Sequence, residues 1–282
     1  MTDILDTPTI RSPRIGPTLL LAGSGTAILI AVALFGPLIA PHDPLQSNVQ
    51  NALATPDWRH WAGTDQVGRD VLSRLLVATR LDIFIAVVSV LLSFAIGAVI
   101  GAFAGYLGGW PDRLVSRAVD MLMAFPLFVL AMALIAVVGT GVMNIVYATA
   151  LINLPFYIRV ARAEVNARRG AGWVEAARLA GNGHVRIILL LILPNVLPVI
   201  MVQISINLGW AILNAAALSF LGLGVQPPTP EWGIMVADGA QYITSGKWWL
   251  VAFPGLALMF AVFCFNLLGD ALRDVFDPRK RR

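Results

Sequence analysis

Charge is what this chain of 282 residues has least of: Asp, Glu, Lys and Arg make up 13%, against 58% hydrophobic residues and a mean hydropathy of +0.78. Such a balance excludes an ordinary soluble domain, which carries about twice that share of charge. Cysteine is nearly absent. The single thiol, Cys264, excludes an internal disulfide and a cysteine-based metal set, and its apolar surroundings make it a small core residue. Histidine is scarce too, with His42, His60 and His184 scattered along the chain. No nucleophile has a neighbouring base, and no glycine-rich phosphate loop carries a lysine. Gly222-Leu223-Gly224 matches half of a dinucleotide fingerprint but has no strand–helix context. Bond-breaking chemistry is therefore not expected of the chain by itself, nor is a resident cofactor or metal. Strict apolar–polar alternation is lacking as well, which argues against a membrane β-barrel.

What is present is long uncharged runs. Residues 15–42, 83–111, 121–158, 187–230 and 248–269 contain no Asp, Glu, Lys or Arg. A bilayer crossing takes about 20 apolar residues. The run 121–158 is too long for one crossing and is interrupted by Gly139-Thr140-Gly141, so it reads as a hairpin of two. The run 187–230 turns to Gly and Pro after Phe220, so it holds one crossing and a loop. The expectation is an all-α membrane protein of six transmembrane helices, over about 16–40, 82–107, 119–138, 143–161, 192–221 and 249–269. With an even number, both termini share a side. That side collects 15 of the 20 Lys and Arg residues, among them Arg113, Arg162, Arg178 and Arg279 to Arg282, against Arg59, Arg69, Arg74, Arg80 and Lys247 opposite. The excess makes it cytoplasmic. Basic inner loops also account for the pI of about 9.7, so nucleic acid is not an expected partner.

The chain divides into a cytoplasmic tail (1–15), a first helix with an external segment (16–79), a transmembrane core of five helices (80–272) and a basic tail (273–282). The first helix is too long for a signal-peptide core and reads as an uncleaved anchor. In the external segment, Gly63-Thr64-Asp65-Gln66-Val67-Gly68-Arg69-Asp70 precedes a short helix. Thr64 or Asp65 is expected to cap it, and the helix to lie along the membrane with Arg69, Arg74 and Arg80 snorkelling. His60, Asp65 and Asp70 offer an ion site, but caps and local salt bridges are the preferred reading. Gly97, Gly101 and Gly105 recur every fourth residue and predict close approach of another helix. Arg117 and Asp120 are placed to pair on one helix face. Pro126 and Pro155 mark bends or packing kinks. Trp248 and Trp249 suit an interfacial aromatic belt.

Two stretches stand out as functional candidates. The fifth span carries Gln203, Asn207 and Asn214 at spacings of four and seven, on one face. They would either line a path for a polar solute or hydrogen-bond between helices. The second stretch is the charged interruption 162–190, where Glu175-Ala176-Ala177 is followed by Gly181 and then by Leu191-Ile192-Leu193-Pro194. Two alanines leave a low surface that can enter a groove. Gly181 permits the chain to leave the short helix, and Pro194 suits the first turn of the next.

That spacing resembles the Glu-Ala-Ala loop of binding-protein-dependent ABC importer permeases, with Leu191 in place of the usual Ile. Residues 63–74, 219–233 and 265–279 resemble blocks of the second permease of the dipeptide/oligopeptide/nickel group, and the resemblance runs from about Pro41 onward. One departure is Arg169-Gly170-Ala171-Gly172, in a stretch often charged and helical in that family. The resemblance implies a type I importer architecture in the cytoplasmic (inner) membrane. It implies a second homologous permease completing a heterodimeric pore, two cytoplasmic ATPase subunits that hold ATP and Mg, and an external solute-binding protein. It implies that Glu175, Ala176, Ala177, Gly181, Leu193 and Pro194 form the ATPase-coupling loop. Di- or oligopeptides are the favoured solute, with nickel or another small solute as the alternative in the same group. Outside the family, a self-sufficient secondary transporter would be expected to carry intramembrane charges, which the span centres lack. A purely structural subunit would tolerate Ala at 203, 207 and 214.

Overall fold

The computed structural model describes residues 17–276, so the expected tail 1–15, with Arg11 and Arg14, and residues 277–282 of the expected basic tail lie outside the described residues, while 273–276 continue the last helix. Ten α-helices follow in order: α1 Pro17–Ile39, α2 Val71–Leu107, α3 Gly109–Ala124, α4 Leu127–Val138, α5 Val142–Arg168, α6 Gly172–Leu179, α7 His184–Arg186, α8 Leu193–Phe220, α9 Trp232–Ala240 and α10 Trp249–Phe276. Among the described residues there is no sheet, only one isolated bridge between Thr64 and Asp70.

The outward surface is apolar, with Leu38, Val137, Trp210 and Phe263 all more than half exposed. Only a hydrocarbon solvent makes such a surface stable, since helices satisfy their own backbone groups there. Four helical stretches are long and apolar enough to cross a membrane: residues 18–39, 71–107, 184–220 and 249–274. A fifth is added if the bent pair α3–α4 counts as one crossing. The 27 residues of α5 would reach about 40 Å, but Asn144, Asn153, Arg159, Arg162 and Glu164 make it more polar than these.

Several expectations are corrected. There is no separate surface helix ahead of the second span: α2 is continuous over 37 residues, about 55 Å. Its N-cap is Asp70, not Thr64 or Asp65, and the Asp70 carboxylate accepts from the Ser73 N–H at 2.8 Å. Arg69 and Arg74 do not snorkel but are buried, because Asp65 and backbone carbonyls of the external segment compensate them. The third span bends at Pro126, as expected of that proline, but sharply enough to make two helices. Pro126 lacks an N–H and holds Phe125 extended (φ −89°, ψ 146°), so α3 and α4 meet at 86°. Finally, Asp120 pairs with Arg159 of α5 at 2.7 Å instead of Arg117, tying α3 to α5.

The most extensive packing is α2 on α5, followed by α8 on α10, with α1 against both α2 and α10. The glycine stripe makes the first of these possible. A Cβ at Gly97 would lie 2.7 Å from the Cβ of Tyr157, and Cβ atoms at Gly101 and Gly105 would meet the carbonyls of Ile158 and Arg162. The neighbour predicted from the spacing is thus α5 of the same chain.

Candidate functional site

The loop after α5 is assembled from local rules. Gly170 and Ala171 form the break between α5 and α6, and Ala171 provides an extended N-cap (φ −68°, ψ 144°). On α6, Val174 is fully buried and packs with Ile187, Ile188 and Ile192, whereas Glu175 and Ala176 face outward and Ala177 is half-buried. Gly181 has φ +80°. With it in the left-handed region, Asn182 N–H reaches the Ala177 carbonyl at 3.1 Å and closes a Schellman-type end. The Asn182 side chain donates to the same carbonyl at 3.0 Å. Leu179, just before this turn, is 91% exposed.

The helical stretch begins earlier than expected, at His184 rather than near residue 192, while Pro194 lies in the first turn of α8, as its sequence position suggested. Residues Ile187–Ile192 widen into a π-turn, and Leu193 N–H bonds back to the Ile188 carbonyl five residues earlier. Pro194, which has no N–H to donate, follows directly, and Asn195 Nδ2 donates to the Leu191 carbonyl at 2.6 Å. A one-residue widening of this sort lets a proline sit inside a continuous helix. Leu193 is half-buried against the core and Pro194 is exposed.

One residue that sequence reasoning missed joins these parts. Tyr106, at the end of α2 and 3% exposed, accepts a hydrogen bond on Oη from Arg178 Nε at 2.9 Å. The Arg178 guanidinium also lies 4.9 Å from its ring centroid. His184 Nδ1 is 3.3 Å from the same Oη. Tyr106 therefore clamps both α6 and the start of α7 onto α2. The available signal was its place at the end of a span beside Gly105 and Gly108. Beside the clamp, Arg162 bonds Asp112 through both its Nε and Nη2.

The polar face of α8 is partly assembled. Gln203 Nε2 donates to Asn207 Oδ1 at 3.1 Å within the helix, Asn207 is 4% exposed and Asn214 is half-buried. Asn207 Nδ2 and the adjacent Tyr157 Oη are both buried without a well-formed hydrogen bond among the described residues. A buried amide with an unused donor is a costly arrangement to leave in place.

The opposite end of the bundle gathers the 63–74 block and the segment after α8. Asp65 accepts from the N–H groups of Val67 and Arg69 and from Arg69 Nε at 2.6 Å. Arg74 donates to the carbonyls of Pro44 at 3.1 Å and Pro228 at 3.3 Å. Gly68 (φ +79°) leaves no room for a Cβ against the Asn48 carbonyl. Trp249 is not part of an interfacial belt: it is 1% exposed and its Nε1 donates to the Thr64 carbonyl at 3.3 Å, while Trp248 is exposed. Glu231 caps α9 through Gly233 and Ile234, and burial pushes its carboxyl above the usual carboxylate range. The histidines are not all scattered: His42 and His60 meet beside Asp70, with ring centroids 4.8 Å apart. Asp65 lies with the arginines instead of completing an ion site with His60.

Long apolar helices, an apolar outward surface and polar ends define a multi-pass membrane protein. The chain belongs to the family described as binding-protein-dependent transport system inner membrane component, which residues 97–282 match. It is a multi-pass permease of the cytoplasmic membrane. It is 42% identical over 258 residues to a di/tripeptide transport system permease protein of Pseudomonas aeruginosa, covering 89% of this chain and 85% of that one. Similarity to the nickel transport system permease protein of Escherichia coli is 41% over 252 residues, covering 89% and 91%. A glutathione transport system permease protein of Pectobacterium atrosepticum is 39% identical over 259 residues, covering 92% and 86%.

Proposed function

We propose that this chain is one half of the pore of an ATP-driven importer of di- or oligopeptides, and that α6 is the element through which ATPase subunits move it. In this reading it pairs with a second homologous permease, two cytoplasmic ATPase subunits dock at its Tyr106 end, and a solute-binding protein docks at the Asp70 end. The chain then crosses the membrane six times, with α3–α4 as one broken crossing, α5 as another and both termini cytoplasmic. The basic residues Arg162, Arg168, Arg169, Arg178 and Arg186 at the α6 end support that orientation.

The observation that carries the coupling role is the build of α6. Glu175 and Ala176 are offered outward, while Val174 and Arg178 fasten the helix to the π-turn and to Tyr106. A rigid-body displacement of α6 is thereby delivered to α8, which bears Gln203, Asn207 and Asn214. ATP needs only to favour one of two arrangements of its own subunits to bias the pore. Ala176 and Ala177 keep the docking surface low, Gly181 ends it sharply, and Leu193 and Pro194 carry the connection into α8.

The test is uptake of a radiolabelled dipeptide by cells or vesicles holding the complete complex. Glu175→Lys, which reverses the charge on the outward face, and Gly181→Asp, which strains a φ of +80°, are expected to abolish uptake while membrane insertion stays normal. Normal uptake in both variants would sink the coupling role. The identity shared with the nickel permease makes nickel the second reading. Labelled nickel entering while dipeptide does not would decide for it.

A further inference from the structure

At the end of the bundle opposite α6, three ligand-bearing residues from three separate segments converge. His42 follows α1, His60 lies in the turn 57–61, and Asp70 is the N-cap of α2. His60 Nδ1 is 2.8 Å from Asp70 Oδ1 and His42 Nδ1 is 3.7 Å from the same oxygen. One ligand atom from each residue lies within 4.8 Å of the others. The side chains grade from enclosed to open: 2% exposed for Asp70, 14% for His60 and 41% for His42.

The groups around these three hold them in position. Asp70 Oδ2 is fully used, accepting from Ser73 N–H at 2.8 Å and Ser73 Oγ at 2.7 Å. That leaves Oδ1 for the two imidazoles, and His60 Nδ1 is hydrogen-bonded to it in the metal-free arrangement. The same Ser73 Oγ accepts the His42 backbone N–H at 3.0 Å, which fixes the end of the α1 segment beside the carboxylate. His60 is held in its turn by a backbone N–H bond to Asp57 Oδ1 at 2.6 Å. Outer hydrogen bonds of this kind orient ligands and set metal affinity.

We propose that His42, His60 and Asp70 form a binding site for a first-row divalent transition metal ion on the external face. Two imidazoles and one carboxylate are a donor set for Zn2+, Ni2+ or Cu2+, whereas Ca2+ and Mg2+ want oxygens alone. A tetrahedral ion with bonds of about 2.0–2.2 Å places its ligands about 3.4 Å apart. His60 Nδ1 and Asp70 Oδ1, now hydrogen-bonded at 2.8 Å, need to part by only about half an ångström to admit it. The exposed His42 ring closes the remaining distance, and the fourth position opens to solvent. The ion ties the end of α1 and the 57–61 turn to the start of α2. The site is far from α6 and stands whichever solute the pore carries.

The experiment uses the full-length chain in its purified complex, with an affinity tag free of histidine, after removal of metal by a chelator. Zn2+ is titrated at pH 7.5 against a competing chromophoric chelator. The expected result is one equivalent bound per chain, with affinity lowered at least about tenfold by His42→Ala or His60→Ala, and lowered also by Ser73→Ala. His42→Ala removes an exposed ring, so loss of binding there does not reflect misfolding. His184→Ala, at the other end, should bind as the parent does. Absence of binding by the parent, or binding undiminished in the His42→Ala/His60→Ala double variant, overturns the site. Ni2+ and Ca2+ titrations then rank the ions, and Ca2+ binding equal to Zn2+ would also overturn it.

Discussion

Tyr106 carries more of the candidate site than any residue of the Glu-Ala-Ala loop itself. Its hydroxyl meets Arg178 and His184, two residues that reach it from opposite sides of the Gly181 turn. Tyr106→Phe keeps the ring under Arg178 but removes both polar contacts, each worth about 0.5–1.5 kcal/mol. Uptake is expected to fall several-fold with normal expression, and ATP hydrolysis by the complex to respond less to solute. Glu231 is a second residue-scale case. It is fully buried beside Asp82 and caps α9. Because burial raises its carboxyl above the usual value of 4.5, its contribution to stability is greatest below that pH and declines as pH rises. Glu231→Gln keeps an acceptor for the cap and removes the titration. Its apparent melting temperature, measured in detergent between pH 4.5 and 7, should fall less with pH than the parent's. Glu231→Ala loses the cap as well, costing about 1 kcal/mol.

Among the elements, the α2–α5 pair is the frame to which the rest is attached. Gly101 sits where any side chain meets the Ile158 carbonyl, and backbone cannot yield as a flexible side chain does. Gly101→Leu is expected to cost at least about 1–3 kcal/mol, read as a lower melting temperature and less folded protein in the membrane. Gly183→Ala, on an open glycine with φ −68°, should change neither. The α6 helix is a different kind of element. With eight residues it is too short to persist by propensity alone. Val174, Arg178 and the Schellman end hold it, which is why the charged, alanine-rich sequence of the loop forms a helix here.

For the whole molecule, polar connections segregate to two ends. Trp58 and Ser245 are exposed on the Asp70 end, and Leu179 on the Tyr106 end. In a chain whose only thiol is replaced by Cys264→Ser, a cysteine at Trp58 should react with an impermeant maleimide from outside intact cells. One at Leu179 should react only after the membrane is opened. The reverse pattern would invert the orientation argued from the basic residues. Such segregation follows from the length of α2: at about 55 Å it exceeds the roughly 30 Å hydrocarbon layer, so its Asp70 end projects beyond the bilayer and can build a polar knot there. The uncharged runs located most helices because a missing charge is a one-dimensional signal. They could not show that residues 71–79 belong to the same helix as the second span. The charges of Arg69 and Arg74 read as surface residues until Asp65, Pro44 and Pro228 are seen to satisfy them.

The sequence by itself determined the solvent of this protein, the hairpin break at Gly139-Thr140-Gly141, the close-packing face at Gly97, Gly101 and Gly105, and the left-handed turn at Gly181. Each depends on a residue type acting within a few positions of itself. Tertiary structure alone decided that Asp120 pairs with Arg159 and that Tyr106 clamps the loop. It also decided that a π-turn over Ile187–Ile192 extends the helical stretch back to His184, ahead of Pro194, and that His42 meets His60 across the external segment. Those outcomes rest on contacts between residues 18 to 78 positions apart or on a backbone widening, and no local pattern in the chain encodes them.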